Sequence, residues 1–186
     1  MTGVSPESLG GHTAIAIARH APANLILASR TSSKLEGVAN SIGEVAPNVQ
    51  PKLIQLDLGS QAATKKAAEE IASLVGSVDV LIHAAAVTSS DRRETIDGLE
   101  SQFGINHIGP FLLTSLLIPQ LKAAAAKSKQ PGLTRVVHMS SDGYKLSPVR
   151  FHDYNFEGKA IPPEEEPPRS VPDYMRPVPA AGKNYV

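Results

Sequence analysis

Two serines, a tyrosine and a lysine stand close together in the stretch RVVHMSSDGYKLS, residues 135–147. A serine hydroxyl can hydrogen-bond a carbonyl oxygen, and a tyrosine whose pKa is lowered by a nearby ammonium can exchange a proton with it. For that, the tyrosine and the lysine must share one face of a helix, which a spacing of four residues provides. Tyr144 and Lys145 are adjacent, so their side chains would diverge by about 100° on a helix. The stretch therefore contributes Ser140 and Ser141 to a site but no acid–base pair.

The composition is that of a globular domain. Of 186 residues, 41% are hydrophobic and 19% charged, the formal net charge is 0, and no basic cluster supports nucleic-acid binding. Cysteine is absent and the 6 histidines lack metal-ligand spacing, so neither disulfides nor a metal site is predicted. The longest apolar run, FLLTSLLI, is shorter than the roughly 18 residues of a membrane span, and no signal peptide is visible. We expect one cytoplasmic domain without a membrane span.

Short apolar segments alternate with amphipathic ones along the first part of the chain. Strands are predicted at residues 23–29, 49–58, 78–87 and 134–140, and helices at residues 32–42, 61–75 and 98–127. Ser32 or Ser33 is the expected N-cap of the first of these helices and Gly43 its stop, while Pro110 and Pro119 should bend the last. One apolar stripe of the first helix consists of Leu35, Val38, Ala39 and Ile42. The alternation predicts an α/β fold with a parallel sheet whose strands are buried on both faces.

The composition changes after residue 160. Residues 161–179 contain seven prolines and three consecutive glutamates, and such a stretch cannot form a helix or an inner strand. We therefore expect two parts: an α/β domain at residues 1–150, and a proline-rich irregular loop or tail at residues 151–186.

The opening TGVSPESLGG has the composition of a turn that binds an anion. A glycine-rich turn leading into the helix-like HTAIAIARHAP would let backbone amides approach a pyrophosphate, with the positive end of the helix dipole behind them. Gly3, Gly10 and Gly11 are the candidate turn residues. No G-x-G-x-x-G spacing exists, however, and an ordinary loop explains this composition equally well.

Two residues at predicted strand ends could contact the rest of a dinucleotide. Arg30 ends LILASR, a position where an acidic residue binds ribose hydroxyls and a basic one pairs with a 2′-phosphate, which favours NADP(H) over NAD. A solvated basic helix turn is the alternative. Asp57 in QLDLGS could accept a hydrogen bond from an adenine amino group, or serve as a structural turn residue.

These segments occur in an order and at spacings that resemble a known family. TGVSPESLG, ASR, LDL, DVLIHAAAV, GINHIGPFLLT and RVVHMSS together resemble the short-chain dehydrogenase/reductase family, in particular its retinol-dehydrogenase-like and WW-domain-oxidoreductase-like branch. The resemblance extends to about residue 160. It implies a Rossmann-like doubly wound parallel sheet and an NADP(H)-dependent oxidoreductase. Such an enzyme moves a hydride between the nicotinamide and a small-molecule carbonyl or alcohol substrate, and a homo-oligomer is left open.

The resemblance also implies roles for individual positions. Asn106 would hold a water of the proton relay, and Ser141 would hydrogen-bond the substrate carbonyl. The implied cofactor-binding residues are Gly3, Ser8, Gly10, Arg30, Asp57, His83, Ala84, Ala85 and Ser140. Structural alternatives exist, since Asn106 could satisfy a helix bend and the two serines could simply end a strand.

The chain departs from the family pattern in several places. The glycine turn has one extra residue and Ser8 where the middle glycine usually stands, and HAAA at residues 83–86 replaces Asn-Asn-Ala-Gly. The strand before the turn is missing, and no Tyr-x-x-x-Lys is present, since Tyr154 precedes Lys159 by five. We expect an incomplete family member whose tyrosine and lysine lie past Val186. The alternatives are a non-catalytic nucleotide-binding or interaction module, and a chain that does not fold stably alone.

Overall fold

The structure is a computed structural model that describes residues 1–89 and 91–172. Its main elements, in chain order, are α1 (Leu9–Ala18), β1 (Ile26–Ser29), α2 (Ser32–Val45), β2 (Lys52–Gln55), α3 (Gln61–Leu74), β3 (Val80–His83), α4 (Ser101–Phe103), a π-helix (Gly104–Ile108), α5 (Gly109–Leu116), α6 (Ile118–Lys127) and β4 (Arg135–His138). Two short 3-10 helices follow at Asp142–Leu146 and Pro163–Glu165.

The four strands form two parallel pairs. β1 pairs with β2, with Ile26 opposite Lys52, and β3 pairs with β4, with His83 opposite His138. Each pair is parallel, and helices lie between the strands along the chain. This arrangement confirms the predicted α/β class with a Rossmann-like order of elements.

Thr2 joins the two pairs of strands. It forms one isolated parallel bridge with Ala28 of β1 and another with His83 of β3. The Thr2 N–H donates to the Ile82 carbonyl at 2.8 Å, and the Met1 carbonyl accepts from the Ala28 N–H at 2.9 Å. The sequence indicated that the first strand would be missing. Instead, one residue of pairing stands in its place, so the order across the sheet is β2-β1-Thr2-β3-β4.

The apolar stripe predicted for α2 is buried against β1. Leu35, Val38 and Ile42 are at most 1% exposed, and they belong to one hydrophobic cluster with Leu27 and Val4. Because the stripe repeats at helical spacing, a single face of α2 supplies much of this core.

The strand β4 differs from the expectation of burial on both faces. All of its four residues are exposed, and Val136 and Val137 each retain 38% of their accessible surface. Among residues 1–89 and 91–172, β4 pairs with β3 on one side only, so its other side is an open edge within that part of the chain. An open edge presents unpaired N–H and C=O groups, which is the feature that invites association with other strands.

The ends of α2 differ from those predicted. Thr31 takes the N-cap position without a side-chain hydrogen bond, in place of Ser32 or Ser33. The helix passes through Gly43 and ends at Val45. It stops there because Ala46 precedes a proline, and the residue before a proline is disfavoured in the helical region.

The helix predicted for residues 98–127 is divided into several segments. It begins at Ser101, contains the π-helix Gly104–Ile108, and breaks at Leu117, where the direction changes by 56°. The break follows from Pro119, which stands at the start of α6 and has no N–H to continue the ladder. Pro110 lies inside α5 instead of at a bend.

Contacts group the chain into two compact units. The first consists of Met1–Asp57, Ala62–Ala85 and Phe111–Met139, and it contains all four strands. The second consists of Leu58–Gln61, Ala86–Pro110 and the chain from Ser140 onward. The expected boundary near residue 150 stays a prediction.

No single helix among the described residues has the length and apolar composition needed to cross a bilayer. By length and composition alone, the bent pair Ser101–Leu116 and Ile118–Lys127 passes the same test as one broken segment.

Leu27 and Leu53 face each other across β1 and β2, but Leu27 is 0% exposed and Leu53 is 37% exposed. We expect Leu27→Ala to lower the free energy of unfolding by about 2–5 kcal/mol, because it removes buried apolar surface and leaves a cavity. Leu53→Ala should cost about 1 kcal/mol or less. Urea denaturation with an unchanged m-value measures both losses. Equal losses at the two positions would contradict the placement of Leu27, and not Leu53, in the buried cluster.

Candidate functional site

Four of the predicted site residues lie where the chain leaves the sheet of the first unit. Gly3 follows Thr2, Arg30 follows β1, Asp57 lies two residues past β2, and Ala84 follows β3. Because the strands are parallel and in register, these positions share the carboxyl edge of the sheet. In open parallel α/β sheets, this edge is where ligands bind.

The glycine turn is closed so tightly that side chains are excluded from Gly3, Gly10 and Gly11, and a Cβ on Gly11 would clash with the Ser5 carbonyl oxygen. Gly3 has φ +70°, and a Cβ placed on it would lie 2.3 Å from the Ala85 nitrogen. A Cβ on Gly10 would lie 2.3 Å from the Gly3 carbonyl oxygen. The Ala85 N–H also donates to Thr2 Oγ1 at 3.4 Å. The turn is thus packed against the segment that follows β3, as close backbone approach requires.

Ser8 holds the turn and begins α1. Its Oγ accepts hydrogen bonds from the Gly11 N–H at 3.0 Å and the Ser5 N–H at 3.2 Å, and donates to the Ser5 carbonyl at 2.8 Å. Ser8 is therefore the N-cap of α1 and fixes the turn that precedes it. This is a structural role that a glycine at the same position could not fill.

Arg30 and Asp57 have fixed backbones. The Arg30 carbonyl accepts from Gln55 Nε2 at 3.1 Å, and the Asp57 carbonyl accepts from Thr64 Oγ1 at 3.3 Å. Arg30 is exposed and Asp57 is half-buried. The Arg30 guanidinium is thus open to an anion at the end of β1.

His83 is buried in the sheet and engaged by two neighbours. It is 3% exposed, its Nε2 lies 2.8 Å from Thr114 Oγ1, and its ring stacks on His138 with centroids 4.7 Å apart. Burial, the facing His138 and the Met1 ammonium lower the pKa of His83 to about 4. The ring is therefore neutral at pH 7. Its Nδ1 has no hydrogen-bond partner among the described residues, and its Nε2 contacts Thr114.

Asn106 lies in the π-helix of the second unit. Its Oδ1 accepts from the Val87 N–H at 2.8 Å and its Nδ2 donates to the Val87 carbonyl at 3.0 Å. A Cβ on Gly109, just after the π-helix, would lie 2.4 Å from the Leu58 carbonyl oxygen. π-turns are rare and occur often at functional sites. Spacing alone indicated a regular helix and gave no sign of this turn.

Glu100 and Asn155 position the start of α4, the short helix that leads into the π-helix. Neither residue was among the predicted site residues. The buried Glu100 carboxylate accepts from the N–H groups of Gln102 at 2.9 Å and Phe103 at 2.8 Å, and the Glu100 N–H donates to Asn155 Oδ1 at 2.6 Å. An acidic residue before the helical stretch SQFGINHI is a capping signal that could have identified Glu100. No comparable signal marks Asn155, whose role depends on chain folding.

The four residues that first suggested chemistry lie in the second unit, at the exit from β4. Ser140 and Ser141 are exposed, and Ser141 Oγ accepts from the Gly143 N–H at 3.1 Å as the N-cap of Asp142–Leu146. Tyr144 is 60% exposed, and the Lys145 ammonium pairs with Asp142 at 2.9 Å. The tyrosine and lysine therefore lie in the short 3-10 helix that follows the strand, at adjacent positions that do not form an acid–base pair.

The second unit also contains an apolar cavity of about 480 Å³. Its walls include Leu99, Phe103, Ile108, Val149, Phe151 and Tyr154. The volume suits a small organic molecule. No periodicity in the sequence indicated this cavity, because its walls come from segments far apart along the chain.

Metal-binding side chains do not form a cluster in the part of the chain that the structure describes. Within residues 1–89 and 91–172, no group of three or more His, Cys, Asp or Glu side chains could hold a metal ion.

The shape of the carboxyl edge of the sheet is compatible with a bound dinucleotide, but one charged side chain near it is not. The glycine positions exclude side chains where the turn closes, and α1 begins directly after the turn. Glu7, however, places an exposed carboxylate within the turn at φ +59°. A helix N-terminus attracts anions, so an acidic residue beside it works against the binding of phosphate.

Comparison with known proteins identifies the family. The short chain dehydrogenase family profile matches residues 2–155. The chain is 36% identical to the oxidoreductase fscI of Fusarium equiseti, over 92% of this chain and 66% of that protein. It is also 36% identical to human retinol dehydrogenase 13, over 80% of this chain and 43% of that protein. A crystal structure of an uncharacterised Mycobacterium paratuberculosis protein matches with a TM-score of 0.68 at 32% identity, covering 88% of this chain and 53% of that one.

The chain therefore belongs to the short-chain dehydrogenase family, and the predicted resemblance to its retinol-dehydrogenase-like members is confirmed. It spans between 43% and 66% of the length of these relatives.

The buried His83 predicts a pH dependence of stability. Its pKa is about 4 in the folded chain and near 6.5 when unfolded, so the unfolded state takes up the proton first as pH falls. Stability from the neutral ring is complete above pH 6.5 and is lost toward pH 4. Between pH 6.5 and about 5, the free energy of unfolding should fall by about 2 kcal/mol because of His83, and this fall should be absent in His83→Asn.

Urea denaturation at several pH values measures this loss, with the exposed His20→Asn as control. The Met1 amino group, whose pKa burial lowers from 8.0 to about 6, acts mainly above this window. Glu157 and Glu165 have pKa values lowered below 4.5 by their hydrogen bonds to Lys159 and His152 and so act below the window. The same pH slope in the wild-type chain and in His83→Asn would contradict the assignment.

Proposed function

We propose that this chain is the cofactor-binding part of an NADP(H)-dependent oxidoreductase that moves a hydride between a nicotinamide and a small carbonyl or alcohol substrate. One observation carries the proposal: the closed glycine turn between Thr2 and α1 stands at the carboxyl edge of a parallel sheet, in a chain of the short-chain dehydrogenase family. Other phosphate-binding turns also join a sheet edge to a helix start, so membership of this family is what favours a dinucleotide.

The residues of the first unit divide among the parts of the dinucleotide. Gly3, Ser8 and Gly10 would bind the pyrophosphate through the turn they form. Ala84 and Ala85 would flank it, since the segment after β3 packs against Gly3. The adenosine half would contact Asp57, while the exposed Arg30 would pair with the 2′-phosphate and so select NADP(H). His83 would support this edge from within the sheet, by its contact with Thr114.

The second unit would act on the substrate. The nicotinamide, when bound, supplies or accepts the hydride. Ser141 Oγ accepts from the Gly143 N–H, and its own hydrogen can be donated to a substrate carbonyl oxygen. Ser140, its neighbour, would lie against the nicotinamide. Asn106 would hold a relay water near a backbone already fixed by Val87.

The division of labour along the chain follows. Residues 1–150 would bind the nucleotide and also carry Asn106 and Ser141, and residues 151–186 would complete the substrate side, which the apolar cavity walls at Phe151 and Tyr154 support. A chain without cysteine suits the reducing cytoplasm. The partner would be a small molecule, and self-association remains open.

One sequence feature favours a second candidate, a non-catalytic nucleotide-binding or interaction module. No Tyr-x-x-x-Lys occurs among the 186 residues. Without that pair, the phenol that exchanges the proton with the substrate oxygen is not supplied by this chain. Binding of the cofactor without turnover would distinguish this candidate from an active enzyme.

Arg30→Ala tests the choice of cofactor. We expect it to raise the Kd for NADPH about tenfold, because it removes a charge-assisted pair with the 2′-phosphate, while the Kd for NADH changes by less than about twofold. Fluorescence titration of each cofactor measures both constants. The control is Arg19→Ala, a cation at the far end of α1. Equal weakening of both cofactors by Arg30→Ala would refute NADP(H) selection by this residue.

The second expected outcome concerns turnover. Purified residues 1–186 should bind NADPH but show no measurable NADPH-dependent reduction of carbonyl compounds, because no tyrosine has a lysine four residues later. The loss of NADPH absorbance over time is the measurement. Clear turnover that disappears in Ser141→Ala would overturn this expectation and show that the chain is itself a small active enzyme.

A further inference from the structure

Glu7 stands inside the turn that we propose for the pyrophosphate. Between Thr2 and Gly11 it is the one charged side chain. It is exposed, and its φ of +59° places it in the left-handed region that side chains rarely adopt. The rest of the fold therefore holds this carboxylate in an unfavourable backbone conformation directly before Ser8, the N-cap of α1.

Ser8 reduces the number of backbone N–H groups that the turn can donate to an anion. Its Oγ already accepts from the N–H groups of Ser5 and Gly11. The remaining first-turn amides of α1, those of Leu9 and Gly10, lie next to Glu7 along the chain. The first turn of α1 has no acidic residue of its own, and its last turn has no basic one. Glu7 is thus the anion nearest in sequence to the positive end of this helix.

We propose that Glu7 limits the affinity of the turn for the pyrophosphate of a dinucleotide, and that this limit is strongest at low salt, where the charge of Glu7 is least screened. The inference rests on the proposed function. A carboxylate beside the helix N-terminus partly neutralises the charge that attracts phosphate, and it repels the cofactor's own negative charge. Glu7 therefore determines cofactor affinity through charge, whereas Arg30 is proposed to select between NADPH and NADH.

The substitution Glu7→Gln removes the charge and retains most of the shape. We expect the Kd for NADPH to fall about fivefold at low ionic strength, and the gain to shrink at high salt, where charges are screened. The Kd for adenosine, which carries no phosphate, should not change. In the absence of cofactor, Glu7→Gln should slightly lower the melting temperature, because α1 loses a favourable charge at its N-terminus.

Two further variants separate charge from backbone strain. Glu7→Gly removes the carboxylate and also relieves the positive φ, so it should tighten NADPH binding as Glu7→Gln does but raise the melting temperature. Glu44→Gln removes an exposed carboxylate near the far end of α2, and it should leave the Kd for NADPH unchanged.

Titration calorimetry at low and high salt gives the binding constants of all four proteins. Tighter NADPH binding in both Glu7 variants than in the wild-type chain, by a margin that shrinks at high salt, supports the inference. NADPH binding by the wild-type chain with the same Kd in Glu7→Gln overturns it while leaving the proposed function intact. An equal gain in Glu44→Gln also overturns it, since the effect would be one of net charge. No NADPH binding by any of the proteins overturns the proposed function and this inference together.

Discussion

The sheet of this protein depends on a single position of pairing, at Thr2. The Thr2 N–H binds the Ile82 carbonyl, the Met1 carbonyl binds the Ala28 N–H, and the Met1 ammonium donates to the Ile26 carbonyl at 2.8 Å. These hydrogen bonds join β1–β2 to β3–β4, and Thr2 is 1% exposed between them. Because buried backbone groups must be paired, the two strand pairs cannot be brought together without this segment.

The same segment creates the candidate cofactor edge. Immediately after Thr2 the chain turns at Gly3 with positive φ, passes against the Ala84–Ala85 backbone, and enters α1 through the Ser8 cap. About ten consecutive residues therefore form the strand pairing at Thr2, the turn and the start of α1. The ends of β1, β2 and β3 each add a residue to the same edge, such as Arg30 after β1. The residues of the second unit that we propose for the substrate, Asn106 and Ser141, are positioned separately, by the π-helix and by the 3-10 helix after β4.

Much of the first unit could be predicted from local pattern, and much of the second could not. The stripe Leu35, Val38 and Ile42 repeats at helical spacing, so the buried face of α2 follows from the sequence. Strand identities followed from short apolar runs between helices. The π-helix at Asn106 carries no periodic signal, because one extra residue in a turn leaves the apolar spacing almost unchanged. The contact between Asn155 and Glu100 joins residues 55 apart, and no local rule relates them.

The exposure of β4 shows where sequence reasoning about burial fails. Its apolar residues indicated burial on both faces, yet exposure depends on what covers a strand, which its own residues do not specify. His83 is the opposite case. It is a polar residue, yet its side chain is buried against Thr114 and His138.

The central claim is that the turn from Gly3 to Gly11, together with the segment after β3, binds a nicotinamide dinucleotide. Amide hydrogen exchange of residues 1–186 with and without saturating NADPH tests it directly. We expect slower exchange, on adding NADPH, in peptides covering residues 3–11 and 84–87, with little change in residues 36–45 of α2. Unchanged exchange in both of these peptides, or protection confined to other parts of the chain, would contradict it.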